Sequence, residues 1–184
     1  MEKAKKNAPT LRNALKREFK KDQVAQFALI LLALITIAIF VGALFVPRAS
    51  FTDVNIMDQY LAPMTDGHIF GTDNGGKDIF ALLLVAARNS LTIAFFVTVL
   101  ILALGTIGGL VTGYFGGKFD LIFMRFIDFM TILPVMMIII VLVTVVPNYN
   151  MWTLIVIMTL LGWFNTVRLI RARTLVETNR DYVR

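Results

Sequence analysis

The chain has 184 residues, 58% of them hydrophobic and only 16% charged, where soluble globular domains run to roughly 45–50% apolar and about 25% charged. With a mean hydropathy of +0.76, this excludes both a soluble domain of this size and a disordered chain. No cysteine and one histidine exclude disulfide scaffolds, thiol catalysis, zinc–thiolate sites and multi-histidine metal centres, while the net charge of +6 has to be interpreted from where the charges lie.

Residues 1–23 form a basic segment expected to be cytoplasmic, carrying Lys3, Lys5, Lys6, Arg12, Lys16, Arg17, Lys20 and Lys21. Thr10 is placed to cap a helix with Leu11, Leu15 and Phe19 on one face. This leader reads either as an amphipathic helix on the inner membrane surface or as a solvated tail. Four apolar runs without charge follow: Val24–Val46, Leu91–Val111, Phe129–Val146 and Met151–Val167. About 20 apolar residues in helix cross a bilayer, and helix keeps every backbone group paired in lipid. The expected fold is therefore all-α integral membrane, with four transmembrane helices over about 24–46, 91–111, 122–146 and 151–170. The first run exceeds the roughly 7–15 residues of a signal-peptide core and lacks a small-x-small cleavage site, so it reads as an uncleaved anchor.

Residues 47–90 form a turn-rich connection, with Asp78 placed to cap a short entry helix over Ile79–Arg88. Basic residues mark the cytoplasmic side of membrane proteins. Four crossings with the N-terminus inside put 15 of the 18 Lys and Arg residues on that side and leave Arg48, Lys77 and Arg88 outside. The expected topology is multi-pass with both ends cytoplasmic and 47–90 extracytoplasmic. Charge distributed this way, with no aromatic stacking platform, points to membrane lipids and not to nucleic acid.

Several motifs fall within this frame. Gly71 to Asp78 nearly spells a phosphate-binding loop, but Asp78 occupies the position that needs Ser or Thr for magnesium, so the segment reads as a glycine-rich turn. Gly105, Gly109 and Gly113 share one helix face, either as a packing seam in a multi-helix assembly or as incidental membrane glycines. Arg125 and Asp128, three residues apart, are expected to pair at the inner boundary of the third span. Pro134 is expected to kink that span. No Asp, Glu, Lys, Arg or His lies within the four apolar runs, and no nucleophile–base pair or metal cluster is visible. His68 reads as a surface residue. A scaffold driven by other subunits fits these features better than an enzyme or an ion-coupled carrier.

The motifs Gly71-Thr72-Asp73, Gly76-Lys77-Asp78-Ile79-Phe80 and Ala87-Arg88-Asn89-Ser90-Leu91 resemble the entry segment of the C-type permease subunits of dipeptide/oligopeptide ABC importers. In that family it reads approximately GTD-x-x-G-R-D, then G-A-R-x-S-L. Lys77 stands for the usual Arg, and Ala86 for the usual Gly. Gly113-Tyr114-Phe115-Gly116-Gly117-x-Phe119-Asp120, Met124-Arg125, Asp128, Pro134, Val167-Arg168-x-x-Arg171 and Asp181-Tyr182-Val183 resemble the family's later stretches, in order. The resemblance implies a type I ABC importer permease-like fold in a bacterial plasma membrane, residues 91–184 being the N-terminal part of the permease domain. It implies three kinds of partner besides lipid: a second homologous permease, two cytoplasmic ABC ATPases and an extracytoplasmic solute-binding protein. ATP and magnesium would then be bound by the ATPases, with no cofactor or catalytic residue in this chain. Peptides are the implied cargo, with a nickel chelate or other small solute as the alternative. Family members have about six membrane helices and a coupling loop beyond Asp-Tyr-Val, so the resemblance also implies a fragment or a truncated reading frame. The reading from outside the family is a non-transporting membrane assembly or anchor protein.

Overall fold

The computed structural model describes residues 19, 21–147 and 149–178. The Thr10 cap, nearly all of the basic leader and the Asp181-Tyr182-Val183 motif lie outside the described residues. The described residues form seven α-helices and one 3-10 turn, with no strand. The chain divides into two compact units, Met1–Arg88 and Asn89–Arg184.

In the first unit, α1 spans Gln23–Phe45, opened by Asp22, whose Oδ1 accepts a hydrogen bond from Ala25 N at 3.0 Å. At about 1.5 Å per residue this helix is long enough to cross the hydrocarbon core. Of its side chains only Ala43 is buried. An apolar helix exposed on nearly all sides suits lipid as its solvent. It stops at Val46, whose extended backbone precedes Pro47, a position where proline disfavours helix in the preceding residue. Gly42 lets α1 approach Leu84, where an added Cβ would meet Leu84 Cδ1 at 3.2 Å. The short α2 (Ala49–Thr52) and a 3-10 turn (Ile56–Asp58) follow.

Helix α3 runs without interruption from Ile79 to Phe115, 37 residues. A separate entry helix ending at Arg88 and a new span starting at Leu91 were expected; the structure replaces them with one helix. Arg88 is a good helix former, Asn89 and Ser90 are weaker ones, and neither proline nor glycine stands there to break the backbone pattern. The chain reverses only at Gly116 and Gly117, both at positive φ (59° and 61°), a conformation that glycine adopts without a Cβ clash.

Two further corrections concern the later spans. The stretch expected as one helix over 122–146 is two, α4 (Gly117–Ile132) and α5 (Val135–Val145), bent by 76°. The break falls at Leu133-Pro134, where proline has no N–H to donate and its ring crowds the preceding turn. The stretch expected over 151–170 is α6 (Met151–Gly162) and α7 (Phe164–Thr178), bent by 43°. Gly162, a weak helix former, ends the first piece. The described residues thus contain two helices long and apolar enough to cross a membrane by themselves, and up to four spans if each bent pair is one. Asn150 caps α6 by accepting from Thr153 N at 3.1 Å.

The second unit's core lies between α4 and α7. Ile127 and Val167 are fully buried with Phe164, and Phe123, Met124, Met130 and Trp163 pack around them. Edge-on ring contacts, Phe123 with Trp163 and Phe126 with Phe164, fill the same interface.

Candidate functional site

The glycine face of α3 is packed against α7 of the same chain. A Cβ at Gly105 would stand 2.5 Å from Thr166 Cβ, at Gly109 2.6 Å from Ile170 Cβ, and at Gly113 2.6 Å from Thr174 Cβ. Both sets repeat every four residues, so two straight helix faces meet with backbone nearly touching side chain. In lipid, packing of this kind replaces the hydrophobic effect as the force holding helices together. A Cβ added at the neighbouring Gly108 would likewise meet Val167 and Trp163, at 3.1 and 3.2 Å.

Helix α4 is fastened to α7 by two ion pairs. The expected Arg125–Asp128 pair gives way to Asp128–Arg168, with Arg168 Nη2 donating to Asp128 Oδ1 at 2.7 Å. The second pair was not anticipated. Arg171 donates through Nε and Nη2 to the two carboxylate oxygens of Asp120, a bidentate fork that fixes orientation as well as distance. Asp120 is 9% exposed, so its charge depends on that partner. The pairing runs antiparallel along the helices, 120 with 171 and 128 with 168, and brackets the Ile127–Val167 core. Both arginines and both aspartates belong to the family-like motifs, but nothing in their sequence spacing marked them as partners for one another, 40 and 51 residues apart.

The connection between α2 and α3 is an ordered fold of its own, and its motif residues each have a task. Thr72 is buried, accepts from Leu61 N at 2.9 Å and donates to the carbonyl of Asp58. Asp73 Oδ1 accepts from Gly75 N at 2.7 Å and Lys77 N at 2.9 Å; these backbone donors hold its carboxyl below the ordinary value. Gly71 and Gly76 have φ of +74° and +72°, and a Cβ on either would run into a carbonyl, Leu61 O or Asn55 O. Asp78 Oδ1 accepts from Phe80 N at 2.8 Å and Ala81 N at 3.1 Å, opening α3. Its Oδ2 lies 2.9 Å from His68 Nδ1, so His68 is a bracing residue and not the free surface group expected. Partial burial raises the Asp78 carboxyl, but the His68 hydrogen bond and the Ala81 and Phe80 amides outweigh it and leave the group below its usual range. Arg88, Ser90 and Leu91 lie within the uninterrupted course of α3.

Taken together these are devices for holding and orienting helices. Among the described residues no group of three or more His, Cys, Asp or Glu side chains could hold a metal ion.

Comparison with known proteins agrees with that character. Residues 105–184 match the family described as binding-protein-dependent transport system inner membrane component. The chain is 54% identical over 183 residues to the oligopeptide transport system permease protein OppC of Lactococcus lactis subsp. lactis (strain IL1403), covering 100% of this chain and 62% of that protein. The chain belongs to this permease family. It is also 34% identical over 180 residues to OppC of Bacillus subtilis (strain 168), covering 98% of this chain and 58% of the relative. A third relative, the dipeptide transport system permease protein DppC of the same Bacillus strain, is 33% identical over 167 residues, covering 91% and 51%. The chain therefore spans roughly three-fifths of the first of these relatives, and less of the other two. Family and apolar helices together describe a multi-pass inner-membrane protein.

Proposed function

We propose that the chain serves as a membrane permease subunit of an ATP-driven importer for peptides. The single observation that carries this reading is 54% identity, over the whole chain, to a permease named for oligopeptide transport. The architecture suits the role. Paired and packed helices supply a rigid frame, while the 76° and 43° bends supply the broken spans that membrane transport proteins use beside their pathways. Cargo movement would be powered elsewhere. Two cytoplasmic ATPases would bind ATP and magnesium, a second permease would complete the pathway, and an extracytoplasmic binding protein would deliver peptide. No step of covalent chemistry falls to this chain.

Orientation follows from charge, with the N-terminus cytoplasmic and the 47–78 connection outside, because that places 15 of 18 basic residues inside. A reporter fused at Gly67 is expected to be active outside the membrane, and one fused at Lys118 inside. The function is tested in an amino-acid auxotroph fed that amino acid only as a peptide. Deleting the gene should stop growth, and affinity purification from membranes should bring an ATPase along. Normal growth on peptide with loss of nickel uptake would move the cargo to a metal chelate. Normal growth with no ATPase recovered would end the importer reading in favour of an assembly role.

A further inference from the structure

The two ion pairs leave both cations of α4 over. With Asp128 held by Arg168 and Asp120 by Arg171, Arg125 has no ion-pair partner among the described residues, and neither does Lys118; both are exposed. They lie on one face of α4. Seven residues bring an α-helix back to within about 20° of the same direction, roughly 10 Å further along. The opposite face carries Ile127 and Asp120, turned into the core. Around the two cations the same outward face presents Leu121, Ile122 and Phe129, all exposed. Helical side chains lean toward their own N-terminus, so Lys118 and Arg125 both lean toward the start of α4. A guanidinium on an apolar face, about two turns from a lysine at the membrane boundary, offers a phosphodiester two positive charges and its acyl chains an apolar wall.

We propose that Lys118 and Arg125 form a binding site for the phosphate of an anionic phospholipid of the inner leaflet. The site lies on the side of α4 turned away from α7, and its occupant is a lipid, not a neighbouring protein. The inference rests on the orientation proposed above, which puts the first turn of α4 at the cytoplasmic surface.

The full chain in detergent, examined by native mass spectrometry with added phosphatidylglycerol or phosphatidylcholine, provides the test. The wild type should retain phosphatidylglycerol preferentially. A basic residue near an anionic surface strengthens binding about five-fold, so Arg125→Gln and Lys118→Gln should each weaken that preference about five-fold. Both together should weaken it about 25-fold by the same factor. Arg125→Lys should keep most of it, and Lys77→Gln, in the 47–78 connection, all of it. Millimolar inorganic phosphate should not displace the lipid; displacement would mark a general anion site and overturn the proposal. An Arg125→Gln protein of unchanged helicity and unchanged lipid preference would overturn it as well. So would retained preference with loss of a membrane protein that copurifies with the wild type, since the face would then belong to that protein. The Lys118 reporter separates the two levels: activity outside refutes the orientation, whereas activity inside with unaltered lipid preference refutes only the lipid site.

Discussion

A methyl group added at Gly109 would sit 2.6 Å from Ile170 Cβ and 2.9 Å from the backbone nitrogen of Arg171. Comfortable carbon contacts begin near 3.5 Å, so α3 and α7 must separate by most of an ångström. The second contact is with backbone, and no rotamer change relieves it. Overpacking of this kind costs about 1–3 kcal/mol, and the rigid neighbour places Gly109→Ala in the upper half of that range. Alanine returns about 1 kcal/mol through helix propensity. The net expectation, from those two terms, is destabilisation by about 1–2 kcal/mol. Ile107, exposed on the other side of the same helix, provides the comparison, because a surface truncation there should cost no more than about 0.5 kcal/mol. Unfolding in mixed micelles by added SDS, followed through helicity and the fluorescence of core-lining Trp163, reads both. A Gly109→Ala protein that resists SDS as well as the wild type would refute the close approach of the two helices.

Two further outcomes follow from the geometry. Asp120→Ala strands Arg171 in a mostly buried site and should cost about 2–4 kcal/mol, a broken buried pair discounted for the remaining exposure of Arg171; in the same SDS titration, Asp120→Ala with Arg171→Ala should recover part of the loss, and strictly additive costs would show the pair uncoupled. Asp78 and Asp73 are both held below their ordinary carboxylate range in the folded loop, so their contribution is present above the unfolded-state value and is lost as pH falls through the depressed folded values; protease resistance of the 47–78 connection should therefore decline below about pH 4, and Asp78→Asn should remove part of that pH dependence, the part set by Asp73 remaining.

The parts of this fold that were legible in the sequence are those set by local composition. An apolar run of 23 residues ends where charge and proline begin, and α1 falls on Val24–Val46 to within one residue at each end. Asp78 announces the start of α3 because a side-chain oxygen beside unpaired amides is a local arrangement. The end of the entry helix was not legible, since nothing at Arg88-Asn89-Ser90 either breaks a helix or demands its continuation. The bend at Leu133-Pro134 coincides with a residue that cannot be helix-bonded, whereas the bend at Gly162-Trp163 has no comparably strong sign.

Pairings across the fold were harder to read, and the charged residues show why. Arg125 and Asp128 are close enough along α4 to suggest a bond, yet their directions differ by about 60° around the axis. That angle decides their fates: Asp128 sits at the edge of the α7 interface and Arg125 on the outward face. The carboxylate's actual partner lies 40 residues away in sequence, and that of Asp120 lies 51 away. The glycines show the same division between face and partner. A four-residue repeat at 105, 109 and 113 signals that something approaches closely, because glycine is otherwise a poor helix residue. The answering set, Thr166, Ile170 and Thr174, includes a large apolar residue and does not stand out as a seam. What identifies it is the coincidence of two repeats with the ion pairs that anchor α7 to α4. Together these tie α7 to both neighbours along its length, through glycine backbone on the 105–113 stretch of α3 and through paired charge on α4.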